Sequence, residues 1–270
     1  MDLNTVAEIA VPKERAALPS PALGDAFLAG GTWLFSEPQL GVRRLIDLTA
    51  LGWPPLEADG AGLRIAATCT IARLAGFEAP AAWRAGPLIL ECCRALLGSF
   101  KIWNMATVGG NICMALPAGP MTALGTALRG VCVIWTATGG ERRVPVEEFV
   151  VGPQATVLAP GEVLRAIEIP AGALAVRTAF RQISLNPLGR SGALLIGTLG
   201  ADGFALTVTA ATRRPVRLAF DAVPGAEALA ARLEAGIPEG LYYDDVHGKP
   251  AWRRHMTRRF AEEIRQEVSA

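Results

Sequence analysis

Short apolar runs punctuated by glycine and proline divide the chain into three blocks. The first predicts a strand at Asp25–Leu28, a turn at AGGT, a helix, and a second strand in RRLIDL,. Pro54 and Pro55 close it. Between Gly62 and Pro170 the pattern predicts a strand in LRIAATCT, helices at Ile71–Gly76 and Pro87–Leu97, a loop at ATVGGN, and an apolar helix near Met121–Leu128,. VCVIWTA and ERRVPVEEF, joined by Gly139-Gly140, read as a hairpin, and EVLRAIEIP alternates faces as a half-buried strand does,.

From Arg177 the runs RTAFRQIS, GALLIGTL, GFALTVTA and PVRLAF predict an antiparallel meander, because the links between them are too short for crossovers,. Two helices follow, from about Gly225 to Ala235 and from Pro250 onward, the second with Met256, Phe260 and Ile264 at steps of four,. Arginines and glutamates alternate along it, so its basic half reads as a solvated, self-paired face,.

The chain has 270 residues, 51% hydrophobic and 19% charged, with a mean hydropathy of +0.33, enough apolar surface for a sizeable core,. Lys and Arg total 26 against 25 Asp and Glu, so no global field draws in nucleic acid or an anionic membrane,. The five cysteines are odd in number and never form CxxC, which fits reduced, buried thiols,. Charged residues occupy the start, where a signal peptide needs an apolar run, and Gly200, Asp202 and Gly203 break the most membrane-like stretch,. These features predict a cytoplasmic protein.

Most chemistries lack their residues. His247 and His255 are the only histidines, with no HExxH or GxSxG context, expected to face solvent or cap the last helix, and neither GxGxxG nor a complete phosphate loop is present,. Two glycine pairs remain, in Ala29-Gly30-Gly31-Thr32 and Thr107-Val108-Gly109-Gly110-Asn111. Without a Cβ, consecutive amides can converge on a phosphate that approaches the backbone closely. Each pair alone also reads as an ordinary tight turn. Together, nearly eighty residues apart, they suggest one pyrophosphate held between two lobes.

The flanking residues resemble the FAD-binding (medium) subunit of the molybdenum hydroxylases, the xanthine dehydrogenase and carbon monoxide dehydrogenase group. FLAGGTWLF is similar to that family's first flavin loop, and KIWNMATVGGNICMALPAG to its second. GGERRVPVEEFVVGPQATVLAPGEVLRAIEIP, TAFRQIS and DDVHGKPAWRRHMTRRFAEE extend the likeness over about residues 25 to 265. The resemblance implies an α+β fold: two α/β subdomains of the vanillyl-alcohol-oxidase (PCMH) FAD-binding type, at 1–58 and 59–175, and an antiparallel sheet with helices at 176–270. It implies FAD as cofactor, held through Ala29, Gly30, Gly31, Thr32, Trp33, Thr107, Val108, Gly109, Gly110 and Asn111. Leu164 would pack by the isoalloxazine, and Arg181 would replace a flavin-side lysine. Separate iron-sulfur and molybdopterin subunits would be partners, since this chain has no cysteine spacing for a cluster, and NAD or another carrier would accept the electrons.

The chain departs from the family pattern at five polar positions. Trp33 replaces an acid, Lys101 and Trp103 replace Gln and Arg, Leu116 replaces Ser, and Pro120 replaces Asp. Trp33 and Trp103 either stack on a bound ring or pack against the protein. These changes keep two other readings open: a flavin-free structural subunit of the same kind of complex, and a stand-alone flavin oxidoreductase.

Overall fold

The computed structural model describes residues 3–270. Three sheets follow one another along the chain. The first is parallel, with β1 (Glu8–Ala10), β2 (Asp25–Leu28) and β3 (Arg44–Asp47) in the order β1-β3-β2. Successive parallel strands of one sheet need a crossover that usually carries a helix. Here the link from β1 to β2 contains only a 3-10 turn at Arg15–Ala17. The helix expected after AGGT is also absent: residues 31–36 form turns closed by bonds from Phe35 N to Gly31 O and Ser36 N to Trp33 O.

The second sheet is antiparallel. It contains β4 (Leu56–Asp59), β5 (Gly62–Ala66), β6 (Val131–Trp135), β7 (Glu141–Pro145) and, beyond the small β8–β9 ribbon (Val150–Gly152 and Ala155–Thr156), β10 (Val163–Pro170). Its order is β4-β5-β10-β6-β7. Because β4 pairs with β5, sheet membership changes at Trp53–Pro55, a few residues before the expected boundary at 58. One face is covered by α1 (Ile71–Ala75), α2 (Gly86–Ala95), α3 (Phe100–Met105), α4 (Val108–Cys113) and α5 (Pro120–Ala127). The short helices α6 (Val146–Phe149) and α7 (Ala171–Leu174) cap strand ends. Alternation alone predicts that VEEF continues the hairpin strand. It turns instead into α6, burying Val146 and Phe149 in the core.

The third sheet is the predicted meander: β11 (Arg177–Ile183), β12 (Ala193–Gly200), β13 (Gly203–Thr209) and β14 (Val216–Phe220). Alternation gives it two apolar faces. Leu194 and Ile196 join the core under α5, whereas Leu195, Leu206 and Val208 pack against α8 (Ala226–Gly236) and α9 (Pro250–Ser269). On α9, Met256, Phe260 and Ile264 are buried as predicted. The glutamate–arginine face pairs with itself only in part: Glu262 takes Arg265 and Glu263 takes Arg259 within α9, whereas Arg254 and Arg258 pair with Glu234 of α8. Arg253 breaks that pattern, being 1% exposed. No helix among the described residues is long and apolar enough to cross a membrane.

Ile264 fills the space over Gly197, where a Cβ would stand 2.3 Å from its side chain. Ile264→Ala should therefore destabilise the protein by about 2–5 kcal/mol in urea unfolding, through reduced burial and the cavity left behind. Cys69 and Cys93 are pushed up to about 12 by burial, and Cys92 and Cys132 are raised by the same cause. Ellman's reagent should leave these four unlabelled until the protein is unfolded.

Candidate functional site

The two glycine loops meet. A Cβ on Gly30 would stand 1.8 Å from the Met105 carbonyl oxygen and 3.1 Å from Ala106 Cα, so the first loop lies backbone to backbone against the entry to the second. Gly31 follows with φ +68°, a left-handed conformation that favours glycine, and a Cβ there would strike the Phe35 ring at 2.5 Å,. The amides of Gly30, Gly31, Thr32 and Trp33 donate to no atom of the described residues. These residues are half-buried, and half-buried amides without protein partners require water or a ligand,.

The second loop is a helix start rather than an open loop. Thr107 caps α4, its Oγ1 accepting from Gly110 N at 3.0 Å, and Asn111 N bonds to Thr107 O,. Val108 N and Gly109 N donate to Cys69 O and Ala67 O. All four amides from Val108 to Asn111 are thus committed within the protein. Gly109 is fixed by contact as well, since its Cβ would fall 2.4 Å from that of Ala67. Gly110 differs: its Cβ would meet only the Thr107 hydroxyl, at 2.8 Å. Asn111 Oδ1 accepts from Met121 N at 3.0 Å and so caps α5, leaving its amide nitrogen free,.

Two cavities lie near the loops along the chain, one lined by Asn111 of the second loop and the other by Phe27, two residues before the first. One of about 450 Å³ includes Asn111, Leu116 and Gly119 on one side and Leu188, Arg190 and His247 on the other, between the helical layer and the third sheet. The other, of about 860 Å³, lies between the first two sheets and is lined by Phe27, Ile46, Trp135 and Val163. The helix-free link between β1 and β2 forms its outer wall, with Leu18, Pro19 and Pro21. Arg15 stacks on Trp135 at 4.7 Å, and Trp135 meets Trp53 edge-on at 5.2 Å.

Leu164 is buried in the core; its neighbour Val163 lines the larger cavity. Arg181 is not brought to the loops. It lies on the face of β11 that packs on α9, with Nε 3.0 Å from Glu263 Oε2 and Nη2 2.7 Å from Glu267 Oε2. Trp103 packs against the core, and its Nε1 donates to Leu96 O. His247, expected to face solvent or cap the last helix, is half-buried and lines the smaller cavity; only the folded chain brings it to the same cavity as Asn111, from which it is remote in sequence. Among the described residues no group of three or more His, Cys, Asp or Glu is placed to hold a metal.

Residues 16–172 match the family described as the FAD binding domain in molybdopterin dehydrogenase. The chain is similar to the glyceraldehyde dehydrogenase medium chain of Sulfolobus acidocaldarius, 36% identical over 84 residues that cover 31% of this chain and 29% of that one. It is similar also to caffeine dehydrogenase subunit beta of Pseudomonas sp. (strain CBB1), 35% identical over 98 residues, 36% of this chain and 33% of the relative. The matches therefore span a third or less of these curated relatives. Among solved structures, a carbon monoxide dehydrogenase from Hydrogenophaga pseudoflava that lacks the Mo-pyranopterin moiety of the molybdenum cofactor shares the fold, with a TM-score of 0.80 at 22% identity over 96% of both chains. With more than half of its length matched by that family, the chain belongs to the FAD-binding domains of the molybdopterin dehydrogenases.

Proposed function

We propose that this chain carries FAD as the electron-transfer component of a molybdenum hydroxylase, with an iron-sulfur subunit and a molybdopterin subunit as partner chains and NAD or another carrier as acceptor. The observation that carries the proposal is the run of unpaired amides from Gly30 to Trp33, at the joint between the loops. Four amide dipoles in succession suit a pyrophosphate, and Gly30 and Gly31 let it approach the backbone. The second loop serves as the rigid wall, its own amides being bonded inward.

A dinucleotide on those amides has a cavity within reach of each end. One begins at Phe27, two residues before the first loop, and the other includes Asn111, the last residue of the second. We assign the isoalloxazine to the smaller cavity, where Asn111, Arg190 and His247 supply polar groups and Leu97 and Leu188 leave the rim exposed. The adenine then lies between Phe27, Trp135 and Val163, which puts Leu164 nearer to it than to the flavin ring. Bound FAD supplies a carrier that takes up and releases electrons singly or in pairs. The protein's part is to hold that ring at the boundary with the third sheet, while walls of leucine and alanine limit water. The first two sheets act as the subdomains of the vanillyl-alcohol-oxidase type, and the buried thiols suit a reducing cytoplasm,.

The purified protein should be yellow and bleach reversibly with dithionite. A colourless protein that FAD cannot reconstitute would mark a flavin-free structural subunit; bleaching by a small substrate without partner chains would mark a stand-alone oxidoreductase. Gly110→Asp places a carboxylate on the open side of α4 and should expel FAD while circular dichroism stays near native. Gly30→Ala forces the loops apart at a cost of about 1–3 kcal/mol, so FAD affinity, titrated by flavin fluorescence, should fall roughly 5- to 150-fold.

A further inference from the structure

The smaller cavity is walled by the end of α2 and by three further segments that are remote in sequence: the loop after β11, the loop between α4 and α5, and the turn before α9. Those last three lead to one side chain. Arg253, in the first turn of α9, is almost fully buried, and its guanidinium donates to acceptors on three different stretches of chain. Nη1 donates to Gly192 O at 2.7 Å, at the exit of the β11–β12 loop that carries Leu188, Arg190 and Ser191. It also donates to Ala210 O, just past β13. Nε donates to Gly248 O at 2.8 Å, and Nη2 donates to and ion-pairs with Asp245, which in turn accepts from His247 N at 2.8 Å.

Ala210 extends the connection to the third wall. It has φ +62°, a left-handed conformation that a residue with a Cβ adopts only when its surroundings hold it there,. Two bonds do so, one from Arg253 to its carbonyl and one from its own amide to Pro117 O at 2.7 Å. Pro117 sits between Leu116 and Ala118, both of which line the cavity. Gly192 completes the arrangement, since a Cβ there would strike the Trp252 ring at 2.4 Å and the His247 carbonyl at 2.9 Å.

We infer that Arg253 is the positioning residue of this cavity, the common anchor that sets the loop after β11, the Leu116–Ala118 segment and His247 in register with one another. Its planar fork reaches acceptors in several directions at once, which an ammonium cannot reproduce at fixed geometry. Breaking the arrangement leaves buried carbonyls without a donor and strips the Asp245 carboxylate of its cation, leaving it only the bond from His247 N,. The anchor rests on the proposed function only for the identity of the ring that occupies the cavity.

Hydrogen exchange on the full chain without flavin tests the anchor independently of FAD. In Arg253→Lys, amides in 184–192, in 115–119 and at Ala210 should exchange at least ~10-fold faster, together with 244–248, while those of the first sheet stay as in the wild type. Asp245→Asn, which keeps the guanidinium, should show the same three segments loosened to a smaller degree, and it preserves the test should the lysine variant fail to fold. Glu263→Gln, which weakens other ion pairs of α9, those of Glu263 with Arg181 on β11 and with Arg259, should leave all three segments unchanged. Faster exchange confined to 244–253, in either variant, overturns the inference. With FAD added, Arg253→Lys should shift the flavin absorption bands and midpoint potential; FAD that fails to bind even the wild-type chain would refute the function and leave the exchange result standing.

Discussion

The cleft depends on one contact that leaves no room for a side chain, the meeting of Gly30 with the Met105–Ala106 backbone. Sheets joined through side chains can slide by rotamer changes, whereas a backbone packed on a backbone has a fixed separation. The first sheet is small, and its crossover is a strap rather than a helix, so it has few other ways to register itself against the second. The same device recurs one step inward, where Gly109 lies against Ala67 at the end of β5. Two glycines in series thus set the distance from the parallel sheet, through the second loop, to the central antiparallel sheet.

The loops divide their work through the fate of their amides. Those of the second loop are bonded to Ala67, Cys69 and Thr107, which makes it part of the scaffold. Those of the first are unbonded, which under the proposed function leaves them for the ligand. Preorganisation favours this asymmetry: a ligand bound by free amides loses less when those amides are held by a neighbour that does not move. Asn111 belongs to both parts, its oxygen capping α5 while its nitrogen faces no acceptor within the described residues.

The third sheet and the long last helix are legible in the sequence because their apolar positions recur with clean periods, two in β11 to β14 and nearly four in α9,. The helix α4 is not legible, because a Gly-Gly pair weighs against a helix and only the Thr107 cap and the bonds to Ala67 and Cys69 tip the balance,. β1 pairs solely with β3, which lies more than thirty residues further along, so local pattern carries little trace of it. The site is legible as two loops and not as a cavity, since His247 and the loop after β11 arrive there only through tertiary packing. Arg253 is hidden by its company. Among five arginines on one helix, nothing in the charge pattern marks the one that turns inward,.

Three of the five departures from the family pattern become coherent once placed. Trp103 spends its indole N–H on Leu96 O and its ring on the core, so a position that is polar in the family pattern here anchors α3. Pro120 stands at the first position of α5, where the missing N–H costs nothing, and Asn111 reaches across to satisfy the next amide,. Leu116 adds apolar wall to the smaller cavity. These three substitutions therefore exchange a polar side chain for a packing or capping role and leave the unbonded amides at Gly30–Trp33 untouched. With FAD as the proposed ligand, recognition in this chain shifts from charged side chains toward amides and shape. Amides survive every substitution except that to proline, so the cradle persists as long as the glycines that expose it remain.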